Sequence, residues 1–266
     1  MYQNILTEID AGIGIITLNR PERHNAFDAA LIAELSEAID IMAAEPTVRA
    51  LVISSTGKSF CAGADLNWMK EAAGYSSEEN LRDARGLAEM LRRLAQCPKP
   101  TIARVQGPAY GGGVGLVACC DVAIATLDVQ FSLTEVKLGL IPAVISPHVI
   151  AAIGERYARR YMLTAERFSV AEAYRIGLVH EIVVDDAALD EAVGEIVDAL
   201  LKNGPGALAE CKELIAAVAW KPLSPEVIED TAQRITRLRA SREGREGMTA
   251  FLEKRKPNWV SSFGGG

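Results

Sequence analysis

The hydrophobic pattern of the first two-thirds of the chain alternates between strand and helix periodicity. Runs of β-branched and apolar residues predict strands at 14–18, 48–54, 100–105, 121–125 and 129–132. Segments with apolar residues at helical spacing, 27–44 and 77–96, lie between them. Strands that alternate with helices favour a mostly parallel sheet with both faces covered. We therefore expect an α/β fold.

The C-terminal part of the sequence has a different pattern. Helical spacing dominates from Ser146 onward and is interrupted by a β-branched run at 177–184, which we expect to return to the sheet. The last segments are helical and rich in Arg, Lys and Glu, which predicts a separate layer or a smaller helical domain. We divide the chain into a core of 1–195, a helical part of 196–260 and a disordered tail of 261–266.

Charge and cysteine content restrict the classes of partner and compartment. The 266 residues carry a net charge of −7, which disfavours nucleic-acid and membrane-surface partners. The five cysteines include no CxxC pair, so we expect buried reduced thiols and neither a disulfide framework nor a metal site. The sequence has no signal-peptide pattern and no apolar run of membrane-spanning length, and we expect a cytoplasmic protein.

Two stretches of small residues lie where the chain passes between predicted elements. The stretch 59–66 (SFCAGADL) follows a strand, and the stretch 111–115 (GGGVG) opens a helix. Small residues let a ligand approach the backbone, and N–H groups at a helix start favour negative charge. If the two converge, they supply two donors to one oxygen, as in an oxyanion hole. The alternative is that both are tight connections needed only for packing. No GK[ST] or GxGxxG pattern is present, which disfavours a nucleotide-phosphate loop.

Glu135 lies just beyond a predicted strand in the apolar stretch TEVKLGLIP. A carboxylate there is either a partly buried general base with a raised pKa, or a capping or salt-bridged side chain paired with Lys137 or an arginine. His24, His148 and His180 are widely separated, and no Ser-His-Asp arrangement can be assigned. Asp65, after Gly-Ala at a helix start, is interpreted as an N-cap rather than a catalytic acid.

Together these stretches resemble the crotonase superfamily, the enoyl-CoA hydratase/isomerase proteins, along nearly the whole chain. The matching segments are ITLNRPERHNAFD, SFCAGADLNWM, VQGPAYGGGVGLVACCDVAIA, FSLTEVKLGLIP, RRYMLTAERFSVAEAYRIGLVHEIV and FLEKRKPNW. The resemblance implies a crotonase-like (ClpP/crotonase) spiral of β-β-α units, with a helical C-terminal part that trimerises. It also implies an acyl group bound as a coenzyme A thioester, with no further cofactor. We expect a homotrimer or a dimer of trimers.

The resemblance assigns roles residue by residue. The N–H groups of Ala64 and Gly112 match the two donors to the thioester oxygen, and Glu135 matches the catalytic acid/base. The positions that match the coenzyme A-binding surface are Arg23, His24, Ala26, Ala62, Asp65, Leu66, Phe251 and Lys254, of which the last two match residues that close over the cofactor.

Gly115 departs from the family pattern, because many hydratases of the family carry a second glutamate there. Without that second glutamate, two activities stay open: a hydratase in which another group helps Glu135, or an isomerase in which Glu135 alone moves a proton between carbons. Tyr110 and His148 are candidates for the group that replaces the glutamate. The stretch IPAVISP, with GGGVGL and RRYMLTAERF, resembles the methylglutaconyl-CoA and carboxygeranoyl-CoA hydratase subgroup. Loss of a charge and of side-chain volume at Gly115 is expected to suit a branched, anionic acyl chain.

The hypothesis from the sequence is therefore hydration of a 3-methyl-branched, carboxylated 2-enoyl-CoA such as 3-methylglutaconyl-CoA. The alternatives are a single-glutamate double-bond isomerase and a non-catalytic protein that binds coenzyme A esters.

Overall fold

The computed structural model describes residues 2–261 of the chain. In chain order the strands are β1 (Ile5–Asp10), β2 (Ile13–Leu18), β3 (Ala50–Ser55), β4 (Thr101–Val105), β5 (Ala109–Tyr110), β6 (Val122–Thr126), β7 (Gln130–Ser132), β8 (Phe168–Ser169) and β9 (Glu181–Val183). The α-helices are α1 (Ala29–Ala44), α2 (Leu66–Ala72), α3 (Ser77–Ala95), α4 (Gly112–Cys119), α5 (Ser146–Thr164), α6 (Val170–Arg175), α7 (Asp186–Leu201), α8 (Pro205–Val218), α9 (Pro225–Ala240), α10 (Arg242–Leu252) and α11 (Asn258–Ser261). Short 3₁₀ turns span Pro21–Arg23 and Glu135–Leu138.

A six-stranded sheet in the order β1-β2-β3-β4-β6-β9 forms the centre of the fold. From β2 to β9 the neighbouring strands are parallel, with Ile15 opposite Val52 and Ala125 opposite Ile182. The parallel α/β prediction is confirmed, as is the return of 177–184 to the sheet. The antiparallel edge strand β1 was not predicted.

Both faces of the central strands are covered. Every residue of β3 is buried, which explains the apolar run over residues 50–53 that precedes Ser54 and Ser55. Leu51 and Ile53 join the larger core beneath α1 and α3, whereas Val52 joins a second core on the other face. That second core is completed by four residues of α7: Leu189, Ala192, Val193 and Val197.

A second, three-stranded sheet in the order β5-β7-β8 lies beside the first. β5 pairs in parallel with β7, so Ala109 lies opposite Phe131 and Tyr110 opposite Ser132. This small sheet sets the start of α4, because α4 begins two residues after β5 ends. The small sheet also positions the 3₁₀ turn that begins at Glu135, because this turn follows β7.

The C-terminal part is helical, as expected. The expected boundary at residue 195 falls inside α7, a helix that packs on the sheet through Val197. Helices α8, α9 and α10 follow and contact one another. The division into a core and a trimerisation part stays a prediction. Of the expected tail, Ser261 is the last residue of α11, and 262–266 lie outside the described residues.

Four cysteines are buried free thiols: Cys61, Cys97, Cys119 and Cys120. Cys211 differs from the expectation because it is exposed on α8, a helix with no fully buried residue. Among residues 2–261, no helix combines the length and apolar character needed to cross a bilayer.

Candidate active site

The turn after β2 holds the first wall of the site, and Asn25 organises it. Asn25 is fully buried and adopts a left-handed backbone (φ 53°). Its Oδ1 accepts from Arg20 N (2.8 Å), and its Nδ2 donates to Thr56 O and Ser59 O (both 2.8 Å). The Asn25 side chain therefore ties the turn to the loop after β3.

Arg20 is a second buried support that sequence reasoning missed. Its guanidinium donates to Ala26 O (3.0 Å) and pairs with Asp28 (2.7 Å). It also lies 3.7 Å from Asp65. The signal in the sequence was weak, because an Arg and an Asn in a polar turn are usually solvated.

The loop 60–65 supplies a backbone N–H that faces away from its supporting strand. Phe27 N donates to Gly63 O (2.6 Å), and Asp65 N donates to Phe27 O (2.8 Å), which makes a parallel bridge between Phe27 and Ala64. Because successive peptide groups along an extended chain point to opposite sides, the N–H of Ala64 points away from Phe27. Within residues 2–261 it donates to no acceptor, and Ala64 lines a cavity.

The glycine stretch brings the start of α4 against this loop. Tyr110 N donates to Cys61 O (2.9 Å) and Gly111 N to Ser132 O (2.9 Å). A Cβ on Gly63 would lie 3.5 Å from Gly112 N, and one on Gly113 would lie 2.2 Å from Cys61 O. Only glycine at 113 allows this approach. The two stretches therefore converge, which is the condition for the oxyanion-hole interpretation of the sequence.

Gly112 is the first residue of α4, so its N–H has no partner within the helix. No hydrogen bond links it to any other group in the described part of the chain. Gly111 has a left-handed φ of 49°, a conformation that glycine permits and that turns the chain into α4. Ala64 and Gly112 thus present two free donors to one cavity.

Glu135 extends into the same cavity from the 3₁₀ turn after β7. Its Oε1 lies 3.1 Å from the position that a Cβ would take on Gly111. Its Oε2 is buried and makes no hydrogen bond to residues 2–261, and the carboxylate forms no ion pair with Lys137 or an arginine there. Burial raises the pKa of Glu135, and a hydrogen bond from its own backbone offsets part of that rise. Glu135 Oε2 is therefore available to accept a proton in the cavity that Ala64 and Gly112 also line.

The cavity has a volume of about 520 Å³ and is mostly apolar. Its lining consists of Phe27, Ala64, Trp68, Met69, Ala84, Leu87, Gly111, Gly112, Glu135 and the segment 138–145. Glu135 is the one charged side chain in that lining. Tyr110 and His148, the candidates for a replacement group, do not line it. Instead, the Arg167 guanidinium lies over the Tyr110 ring at 5.5 Å.

Six of the residues matched to coenzyme A lie together at one side of this region. Ala62 N donates to His24 O (3.0 Å), and Arg23 Nη1 donates to Asp65 Oδ2 (3.3 Å). The remaining two of the six are Ala26, which is buried, and Leu66, which is 74% exposed at the start of α2.

Asp65 is an N-cap, as interpreted from the sequence. It accepts from Asn67 N (2.8 Å) and Trp68 N (3.3 Å). Burial raises its pKa, but these backbone hydrogen bonds and the Arg23 charge outweigh burial and leave the pKa below the usual value. Its carboxylate therefore holds α2 and Arg23 in place.

Phe251 and Lys254 are not brought to the cavity within one chain. Phe251 is 82% exposed at the end of α10, and Lys254 follows that helix with its N–H donating to Phe251 O (3.2 Å). Helix α10 packs on α8 and α9. Closure by these two residues stays a prediction.

Gly115 gives one correction to the sequence reasoning. We expected its lack of a side chain to leave volume near the acyl group. A Cβ on Gly115 would lie 2.3 Å from Ile145 Cγ2 and 2.7 Å from Ile145 Cβ. The volume argument is therefore wrong, because Ile145 fills the space.

Comparison with known proteins agrees with this geometry. The family model described as enoyl-CoA hydratase/isomerase matches residues 8–262. The chain belongs to the enoyl-CoA hydratase/isomerase family. The crotonase-like fold is confirmed by an enoyl-CoA hydratase structure from Shewanella pealeana, with 43% identity, a TM-score of 0.94, and coverage of 97% of this chain and 96% of that one.

Curated relatives in this family carry different activities. A crotonyl-CoA hydratase of Syntrophomonas wolfei is 33% identical over 98% of this chain and 99% of its own. A 1,2-epoxyphenylacetyl-CoA isomerase of Escherichia coli is 31% identical over 98% of this chain and 99% of its own. Membership of the enoyl-CoA hydratase/isomerase family therefore leaves the choice between hydration and isomerisation open.

Proposed function

We propose that this protein adds water across the double bond of a 2-enoyl-CoA, with Glu135 as the single acid/base. The observation that carries the proposal is the buried Glu135 Oε2, which has no partner among the described residues and shares a cavity with the free N–H groups of Ala64 and Gly112. A base and an oxyanion site in one apolar cavity suit chemistry through an enolate.

In the proposed mechanism the thioester oxygen accepts hydrogen bonds from Ala64 N–H and Gly112 N–H. Glu135 takes a proton from water as the water oxygen bonds to the β-carbon. The electron pair of the double bond moves toward the thioester oxygen and forms an enolate, and Glu135 then returns the proton to the α-carbon. Each donor aimed at the enolate oxygen is worth about 3 kcal/mol in the transition state.

The pKa of Glu135 suits both halves of this cycle. Burial raises the pKa of Glu135 toward neutral pH, so its carboxylate is a stronger base than an exposed one and its protonated form is more populated and available as an acid. One residue can therefore accept the proton from water and deliver it to carbon.

For the acyl group we propose a 3-methyl-branched chain with a distal carboxylate, as in 3-methylglutaconyl-CoA. The support is the sequence resemblance and the lack of a second carboxylate in the lining, where like charges would repel. The lining contains no Lys, Arg or His. A distal carboxylate must therefore reach solvent at the cavity mouth, where Leu138, Leu140 and Ile141 are exposed, because burying it unpaired is costly.

A second candidate is double-bond isomerisation, and one observation favours it. Glu135 is the one titratable side chain in the lining, and moving a proton between two carbons needs one base and no bound water. A non-catalytic role in binding coenzyme A esters is the third candidate.

One assay separates these functions. Purified protein is incubated with 3-methylglutaconyl-CoA, crotonyl-CoA and a 3-enoyl-CoA. Products are identified by the mass of added water and by the change in conjugated-thioester absorbance, which hydration lowers and isomerisation of the 3-enoyl-CoA raises. Hydration of the branched acid supports the proposal. Rapid crotonyl-CoA hydration without use of the branched acid overturns the substrate. Conversion of the 3-enoyl-CoA alone favours isomerisation, and binding without turnover favours the non-catalytic role.

We further propose a homotrimer or a dimer of trimers, in which Phe251 and Lys254 close over coenzyme A. Large apolar side chains exposed on the C-terminal part support an interface there: Trp220, Leu223, Phe251 and Leu252. Sedimentation of the purified protein tests the assembly, since a monomer at micromolar concentration contradicts it. The buried free thiols support a reducing, cytoplasmic location.

A further inference from the structure

Ile145 occupies the space into which a side chain on Gly115 would project. A Cβ built on Gly115 would lie 2.3 Å from Ile145 Cγ2, 2.7 Å from its Cβ and 3.8 Å from its Cα. The Cβ of Ile145 is fixed to the backbone, so no rotamer of Ile145 relieves the overlap. Even a methyl group at 115 would require the backbone to shift.

Ile145 also lines the cavity beside the proposed reacting atoms. Gly115 lies three residues after Gly112 on α4, and residues at that spacing share a helix face with about 5–6 Å between them. The Ile145 methyl that covers Gly115 is therefore about one helical turn from the N–H proposed to hold the thioester oxygen. Glu135 contributes to the same cavity.

The position of Ile145 is firmly held. The residue is 2% exposed and caps α5, where its carbonyl accepts from His148 N (3.1 Å) and Val149 N (3.0 Å). A β-branched side chain also has restricted χ1 freedom. Ile145 thus forms a fixed apolar wall rather than an adaptable one.

We propose that Ile145 is a specificity-determining residue that favours acyl-CoA substrates carrying a methyl branch at the β-carbon. The branch packs against the Ile145 methyl, and an unbranched chain leaves that contact unfilled. This inference rests on the proposed function, because it assumes that the thioester oxygen lies at Ala64 and Gly112. One methyl group in an apolar pocket is worth about a tenfold change in specificity.

The test compares kcat/KM for 3-methylcrotonyl-CoA and crotonyl-CoA. The unaltered protein is expected to favour the branched substrate about tenfold. Ile145→Ala should bring the ratio close to one, and Ile145→Val, which keeps the Cγ2 methyl, should retain it. Ile145→Leu, which keeps the volume but moves the branch point, serves if the alanine variant does not fold.

Ile153→Ala is the matched control, because Ile153 is buried on the same helix but does not line the cavity. It should lower stability and leave the substrate ratio unchanged. A ratio that survives Ile145→Ala, or that Ile153→Ala lowers equally, overturns the inference while the proposed function stands.

If neither substrate is turned over and 3-methylglutaconyl-CoA is not hydrated either, the proposed hydration fails, and affinity still tests Ile145. The ratio of the Kd values for isovaleryl-CoA and butyryl-CoA, measured by calorimetry, then replaces the kcat/KM ratio. Loss of the isovaleryl preference in Ile145→Ala supports the inference, and an unchanged ratio refutes it.

Discussion

Gly115→Ala should destabilise the protein, although alanine is the better helix former. The alanine Cβ would meet Ile145 Cγ2 at 2.3 Å and Ile145 Cβ at 2.7 Å, so α4 and the start of α5 must move apart. Overpacking of this kind costs about 1–3 kcal/mol. The gain from replacing glycine within a helix is roughly 0.5–1 kcal/mol. The expected net loss of unfolding free energy is about 0–2.5 kcal/mol, with a central value of roughly 1 kcal/mol.

Gly86→Ala is the control, because Gly86 lies within α3 and a Cβ there would meet nothing within 4 Å. It should stabilise the protein by about 0.5–1 kcal/mol. Urea unfolding followed by circular dichroism, at one fixed protein concentration, measures both variants. If Gly115→Ala is as stable as Gly86→Ala, the packing of Gly115 against Ile145 is refuted.

A double-mutant cycle with Ile145→Ala extends the test. Truncating Ile145 alone leaves a cavity and costs roughly 2–5 kcal/mol. The alanine at 115 then no longer meets Cγ2 but still meets the Cβ of residue 145 at 2.7 Å, so only part of the overlap is relieved. The double variant should therefore be more stable than the sum of the single effects by about 1 kcal/mol. Strict additivity would mean that the two side chains do not compete for the same space.

Two further predictions concern stability. Asn25→Ala should cost roughly 3–5 kcal/mol in urea unfolding, because it leaves Arg20 N and Thr56 O unpaired, removes one of the donors to Ser59 O and puts alanine at a positive φ; a loss below 1 kcal/mol would contradict the bridging role. Burial raises the pKa of Glu135 above its unfolded value, so its contribution to stability is present below about pH 4 and is lost as pH rises through the folded pKa. Glu135→Gln should therefore be more stable than the unaltered protein at neutral pH and equal to it near pH 4, and a difference that does not change with pH would contradict this.

The sequence predicts the central sheet well because its strands are buried on both faces. Residues 50–53 of β3 form an unbroken apolar run in a fully buried strand, and β4 and β6 are buried at four of their five positions. Strand β1 was missed because it lies at the sheet edge with Ile5 as its one buried residue. With five exposed residues after Ile5, β1 lacks the alternation of buried and exposed positions that predicts a strand.

The candidate site was predictable where local chemistry left a signature. Glycines at 63 and 113 mark the close approach of two loops, and the isolated Glu135 marks the apolar turn. The buried side chains that hold the loops of the site were not predictable. Asn25, for example, is a polar residue in a polar turn, and only the fold buries it. The contact between Gly115 and Ile145 was also not predictable, since Ile145 is distant in sequence and reaches α4 only through tertiary packing.

The proposed role of Glu135 is that it alone performs the acid/base chemistry. Its most direct test is Glu135→Gln, which keeps the size and shape of the side chain and removes its ability to exchange a proton. Glu155→Gln, on the exposed face of α5 and paired with Arg159, is the matched control and should behave as the unaltered protein.

The measurement is kcat for the best substrate found in the hydration assay, alongside the calorimetric Kd for a saturated acyl-CoA. For Glu135→Gln we expect a fall in kcat of about 10²–10⁴-fold with Kd within twofold of the unaltered protein. A Glu135→Gln variant that retains kcat within threefold of the unaltered protein would contradict the account.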